Sequence, residues 1–165
     1  MRGYTLLELL TALSVAAILA VLYSSITSEF LPKQRLIAKR NELVGFFQLA
    51  RAEAITRGGV LICSKTSRCN GFDGGDLVAF HDDNQNKVRD GNEVILASVA
   101  STRKMPIFRN GWGKQDFLTY DSMGRLHYQN GHFLICNSGL GLTLVMNWRG
   151  RVRQGTGPSL NDQCD

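Results

Sequence analysis

The 165-residue chain is poor in proline and in reactive groups: three prolines, two tryptophans, three histidines and four cysteines. No C-x-x-C or H-x-x-x-H pair is present, so a zinc site built from the cysteines with His81, His127 or His132 is not expected. No nucleophile elbow or phosphate loop accompanies those histidines either, and the reading is a non-enzymatic protein without a cofactor. Internal repeats and low-complexity segments are absent as well. The most informative lack is that of charge, since none occurs from Leu9 to Ser28. About twenty residues in a helix rise ~30 Å, the hydrocarbon thickness of a bilayer. A secretory signal peptide would carry a longer basic lead and a small-x-small cleavage site after the apolar core, and neither is seen here.

Ahead of that run stand Met1, one cation at Arg2, then Gly3, Tyr4 and a single carboxylate, Glu8. A carboxylate at the edge of a membrane span is costly and marks a functional pairing. This order of basic leader, glycine, aromatic, glutamate and uncharged run resembles the type III signal of type IV prepilins and pseudopilins. The resemblance implies cleavage by a prepilin peptidase after Gly3 and N-methylation of the new terminus, Tyr4. It also gives Glu8 the role of assembly carboxylate, offsetting the positive N-terminus of a neighbouring subunit in a filament.

Net charge is +5, which alone favours an anionic partner only slightly. The cysteines carry more information. An even count in an exported domain reads as disulfides, and four cysteines allow three connectivities. Cys63 with Cys69 and Cys136 with Cys164 is the preferred set. The first pair closes a short polar turn, and the second ties the C-terminal tail to a core strand.

Behind the apolar run, Pro32 is a candidate kink or helix restart, and Lys33 to Arg57 reads as an amphipathic helix. Leu36, Leu43, Phe47, Ala50 and Ala54 share one face, while Lys39, Arg40, Glu42, Arg51, Glu53 and Arg57 mostly take the other. Gly58-Gly59 ends it. Beyond lie short strand-like runs: Val60 to Cys63, Asp76 to His81, Glu93 to Ala100, Phe117 to Tyr120, Gly124 to Tyr128, Gly131 to Cys136 and Leu142 to Trp148. Asn-Gly, Asp-Gly and Gly-Gly turns separate them. A long helix followed by many short strands is an α+β arrangement. The boundaries expected are a leader at 1–3, a membrane and filament-core helix at 4–28, its amphipathic continuation at 29–58 and a β-rich globular domain at 59–165.

The globular half also resembles the GspH/FimT family. The resemblance rests on the Cys63/Cys69 loop, Asp76 to Phe80 leading through Asp82-Asp83-Asn84 to Asp90-Gly91-Asn92-Glu93, then Phe117 to Gly124, Phe133 to Cys136 and Trp148 to Arg153. It implies the type IV pilin-like fold, a long N-terminal helix, first half transmembrane, packed on antiparallel β-sheets. Members act as minor pilins of type IV pili or minor pseudopilins of type II secretion. The implied location is the inner membrane, single-pass with a periplasmic domain, and the pilus after assembly, with other pilin subunits as partners.

Arg149-Gly150-Arg151-Val152-Arg153 is the sharpest candidate site. If extended, its three arginines share one face at ~6.8 Å intervals, near the spacing of nucleic-acid phosphates. Guanidinium binds phosphate in bidentate fashion, and Gly150 would admit a close backbone approach. Gln154, Thr156 and Ser159 extend the stretch with hydrogen-bonding groups. A solvated edge that discourages strand pairing is the alternative use of such charge. The segment matches the GRxR motif through which FimT-type minor pilins bind DNA in natural transformation, which implies DNA as a partner with little sequence preference. Arg103 and Lys104, with Arg109 and Lys114, are further cations for the patch, in a connection from Ser98 to Lys114 that holds no acid. Trp112, Phe133 and Trp148 are candidates for stacking on bases, with packing as their other use.

One loop invites a metal reading. Asp82, Asn84, Asn86, Asp90 and Glu93 fall at positions 1, 3, 5, 9 and 12 of a calcium loop. Lys87 stands where the sharp turn wants glycine, and helices do not flank the segment, so a polar hairpin is expected instead of a calcium site. The overall expectation is a minor pilin that binds DNA. The alternatives are a structural subunit that primes or caps the pilus, or a GspH-type minor pseudopilin.

Overall fold

The computed structural model describes residues 5–25, 30–64, 69, 71–72, 75–111, 116–155 and 164. The uncharged run forms helix α1, Leu6–Ser25. Its leucines, valines and isoleucine are exposed all round, and it is, among the described residues, the one helix long and apolar enough to cross a membrane. Thr5 and Glu8 close its first turn reciprocally: the Glu8 N–H donates to Thr5 Oγ1 at 3.3 Å, and the Thr5 N–H donates to Glu8 Oε2 at 3.4 Å. That is a capping box, legible as T-x-x-E. Glu8 therefore satisfies an orphan amide of its own helix. Gly3 and Tyr4 lie outside the described residues.

Helix α2 spans Leu31–Arg57 with Pro32 in its first turn, where a missing N–H costs nothing. Leu36, Leu43, Phe47, Ala50 and Ala54 are buried as their spacing requires, and Phe46 joins them. Gly58, at φ 105°, ends the helix and donates its N–H to Ala54 O.

Among the described residues eight strands follow: β1 Val60–Ser64, β2 Leu77–Phe80, β3 Ile95–Val99, β4 Ile107–Gly111, β5 Phe117–Tyr120, β6 Gly131–Asn137, β7 Leu140–Met146 and β8 Val152–Gln154. They make two antiparallel sheets, ordered β3-β2-β1-β5 and β4-β6-β7-β8. α2 lies against both. Phe47 stacks tilted on Phe133 of β6 at 4.9 Å, and Phe72 meets Phe133 edge-on at 5.7 Å. One core therefore joins helix and sheets, with Phe133 inside it and unavailable for stacking on bases. Cys63 is bonded to Cys69 and Cys136 to Cys164.

The strand expectations fail in three places, one of them β8, which the expected runs do not include. Gly124 to Tyr128 is a loop with a single bridge, Tyr120 to Leu126. Asp121 takes the amides that a ladder would need, its Oδ1 accepting from Met123 N at 2.9 Å and Arg125 N at 2.8 Å, and Gly124 turns left-handed at φ 67°. Conversely β4 runs straight through Asn110-Gly111, a dipeptide that reads as a turn. Gly111 pairs with Gly131, where a Cβ on Gly131 would meet the Gly111 Cα at 2.7 Å, so these glycines serve close strand approach.

Candidate nucleic-acid interface

β7 turns into β8 through Asn147-Trp148-Arg149-Gly150. The Gly150 N–H donates to Asn147 O at 2.9 Å, Asn147 Oδ1 accepts from Arg151 N at 2.9 Å, and Gly150 adopts φ 74°. A left-handed residue closing a short hairpin loop matches the twist of the flanking strands. β8 is the edge of its sheet, with Val152 opposite Met146, Arg153 opposite Val145 and Gln154 opposite Leu144. Strand alternation puts Val152 and Gln154 on the face shared with buried Met146 and Leu144, and Arg151 and Arg153 on the other.

The expected row of three arginines is thus two plus one. Arg151 and Arg153 share a strand face and are exposed, whereas Arg149 sits in the turn, its guanidinium 5.1 Å over the Trp148 ring. No carboxylate pairs with any of the three among the described residues. Gly150 is a correction. It is buried, and a Cβ there would run into Gly124 O and lie 2.7 Å from Tyr120 Cε1. Its freedom serves the corner's own packing against Gly124 and Tyr120. Gln154 also departs from the row: its Oε1 accepts from Arg40 Nη1 of α2 at 2.9 Å.

Arg103 and Lys104 form an exposed turn between Thr102 and Met105, ahead of β4. β4 and β8 are opposite edges of one sheet, three strand steps and so ~14 Å apart. The two cations line a separate cleft of about 720 Å³ with Arg35 and Cys136. Arg109 is withdrawn from the patch. It lies over the Phe72 ring at 5.3 Å, its Nη2 donates to Gln129 O at 3.1 Å, and burial lowers its pKa. Trp112, Lys114, Thr156 and Ser159 lie outside the described residues.

Two cations that the helical periodicity assigns to solvent belong to this corner. Arg51 Nε donates to Gly124 O at 2.9 Å and lines, with Phe47, Gln48 and Gly150, a cleft of about 310 Å³ beside Arg151. Arg40 reaches Gln154. Both flank the buried stripe at i−3 and i+4 from Leu43 and Phe47, and that border position is the signal that marks them.

Asp121 anchors the neighbouring loop. Partial burial works to raise its carboxyl pKa. The N–H bonds from Arg125 and Met123 and the side chains of Arg125 and His127 outweigh this and hold it below the ordinary value. His127 Nε2 is 2.9 Å from its Oδ2. A depressed folded pKa adds stability above the unfolded carboxylate pKa, and that stability is lost as pH falls through the folded value. Solvent screens this carboxylate and its partly exposed partners, so Asp121→Asn is expected to cost about 0.5–1 kcal/mol at neutral pH. The gap from wild type should close as pH drops below ~4, in thermal melts from pH 7 to 3.

In the loop with calcium-like spacing, Lys87 adopts φ 61°, so the backbone makes the turn without glycine. The oxygens close internal bonds: Asp82 Oδ2 accepts from Lys87 N at 2.9 Å, and Asp90 Oδ2 accepts from Asn84 Nδ2 at 2.7 Å and Asn86 Nδ2 at 3.0 Å. Glu93 is buried, its Oε2 accepting from Asp90 N at 2.9 Å. No three His, Cys, Asp or Glu side chains gather as a metal would need, among the described residues.

An apolar N-terminal helix followed by an amphipathic helix on two antiparallel sheets is the α+β architecture of the type IV pilin-like proteins. Crystal structures of FimU, a type IV minor pilin of Pseudomonas aeruginosa strain PAO1, share this fold. One matches with a TM-score of 0.56 at 21% identity, over 77% of this chain and 92% of FimU. A second crystal form gives 0.54 at 21% identity, over 73% and 93%. No curated protein sequence matches the chain. The profile of the family described as type II transport protein GspH matches residues 40–150, and the chain belongs to that family.

Proposed function

We propose that this chain is a minor type IV pilin that binds DNA through the phosphate backbone, using Arg153 of β8 and Arg151 just ahead of that strand, with Arg149 in the preceding turn. One observation carries the reading: an edge strand displays two exposed arginines on one face, a third cation precedes them, and no described carboxylate neutralises any of them. Charged side chains also guard a sheet edge against pairing. Three cations at a reinforced corner suit an extended polyanion better. Arg103 and Lys104 form a second contact point at the far edge, within reach of a strand that crosses the sheet. The role is capture, non-enzymatic and with little sequence preference, by a subunit held in the inner membrane through α1 until assembly with other pilins. Retraction of the pilus would then draw the bound DNA inward. Processing at Gly3 by a prepilin peptidase, N-methylation of Tyr4 and pairing of Glu8 in the filament belong to the same reading.

The test uses the full chain in detergent micelles, titrated with random-sequence duplex from 50 to 200 mM salt. Three phosphate contacts predict a roughly 40-fold loss of affinity over that range. Arg151→Ala with Arg153→Ala should reduce the salt slope by about 2 and weaken all sequences alike. Unchanged binding in the double variant would return the arginines to edge protection. The family description supports a second reading, a minor pseudopilin of type II secretion. Copurification with secretion pseudopilins, and no DNA binding, would favour it.

A further inference from the structure

The β7–β8 corner carries exposed aromatic rings beside its cations. Trp148 is 54% exposed at the turn although tryptophan ordinarily buries most of its ring. Arg149 lies over it, which fixes the indole while leaving much of its surface open. Tyr128 is 87% exposed, and the chain path brings it to the same corner. Leu126 N donates to Trp148 O at 2.9 Å, and Gly131 pairs with Met146. Residues 127–130 are thus held at both ends next to the segment from Met146 to Trp148, while Gln129 between the anchors bonds Arg109 of β4 and Thr119 of β5, and Tyr128 takes the left-handed φ of 54°. Neither ring belongs to the core.

Phosphate binding needs cations only. Exposed rings interleaved with arginines are what unstacked bases require, since every base has a π-face and the bases of a duplex are already stacked on one another. Resting on the DNA reading above, the geometry points to single-stranded DNA as the preferred substrate, with Trp148 as the principal stacking platform, Tyr128 as the second, and Arg151 and Arg153 on the backbone. Single-stranded overhangs and frayed ends of duplexes are then the sites first engaged.

The experiment titrates the full chain in micelles with a fluorescent dT oligonucleotide and with a duplex of equal length, at one salt concentration. Wild type should bind the single strand roughly tenfold or more tightly. Trp148→Ala should erase that preference while leaving duplex affinity within about twofold, and Tyr128→Ala should reduce the preference by a smaller factor. Intrinsic fluorescence should be quenched by dT, and the quench should be lost in Trp148→Phe, a variant that keeps a ring for folding. Equal affinity for both forms, or equal weakening of both by Trp148→Ala, would overturn the single-strand preference and leave phosphate capture standing. Failure of the arginine double variant to weaken either form would instead overturn the DNA reading beneath it.

Discussion

Gly150→Ala should lower the melting temperature by about 10 °C or more, a far larger effect than removing any of the arginines around it. An alanine in the left-handed region costs about 1–2 kcal/mol. Its methyl group would also press into the backbone at Gly124 O and onto Tyr120, both held in place. Tyr120 is fully buried and its hydroxyl donates to Gly150 O at 3.3 Å, while Gly124 O accepts from Arg51 at 2.9 Å. With neither neighbour able to give way, overpacking adds about 1–3 kcal/mol. The exposed Arg149, Arg151 and Arg153 should each tolerate alanine within about 0.5 kcal/mol. Melts of the four single variants separate the two jobs in the Gly-Arg-Val-Arg segment: the glycine builds the corner and the arginines face outward from it. A Gly150→Ala protein that melts like wild type but fails to bind DNA would instead put the glycine at the ligand.

The difference between what the sequence shows and what the fold adds follows this division. Helix α2 is legible because burial on one face imposes a period, and Leu36, Leu43, Phe47, Ala50 and Ala54 keep it. The central strands β1 and β2 are legible as apolar runs, being buried along their whole length. Among the edge strands, β3 and β5 are legible from their apolar runs, whereas β4 and β8 are hidden by the Asn110-Gly111 and Gly150 turn signals within or beside them. In the site, Arg151 and Arg153 are readable as a pair because β8 is extended. Arg149 misleads because strand alternation cannot foresee a turn that ends after it. Gly150 reads as permissive for a ligand, yet its partners Gly124 and Tyr120 lie far away in sequence. Nothing local announces Tyr128 either. Its nearness to this corner follows from the Leu126 and Gly131 anchors.

Removing the Cys136–Cys164 bond should cost more than removing Cys63–Cys69 and should also weaken DNA binding. A cross-link stabilises mainly by restricting the unfolded chain, and the restriction grows with the loop it closes. With separations of 28 and 6 residues, the expected losses are about 3–4 and about 2 kcal/mol. The longer loop has a second consequence, because it contains β7, the Trp148-Arg149 turn and all of β8. β8 is three residues long and, among the described residues, pairs only with β7 and is continued by one further bond, Gly155 N to Thr143 O at 2.9 Å. So short an edge opens at low free energy once its covalent tether is gone. Fraying would dissolve the same-face spacing of Arg151 and Arg153 before the core around Phe47 and Phe133 responds. Cys136→Ser with Cys164→Ser should therefore show fast hydrogen exchange at the Arg151 and Gly155 amides and several-fold weaker DNA binding at temperatures where the rest of the domain is folded. Cys63→Ser with Cys69→Ser should melt earlier than wild type with unchanged affinity below the transition. If both pairs weakened binding equally, or neither exposed the Gly155 amide, β8 would owe its order to its sheet contacts alone.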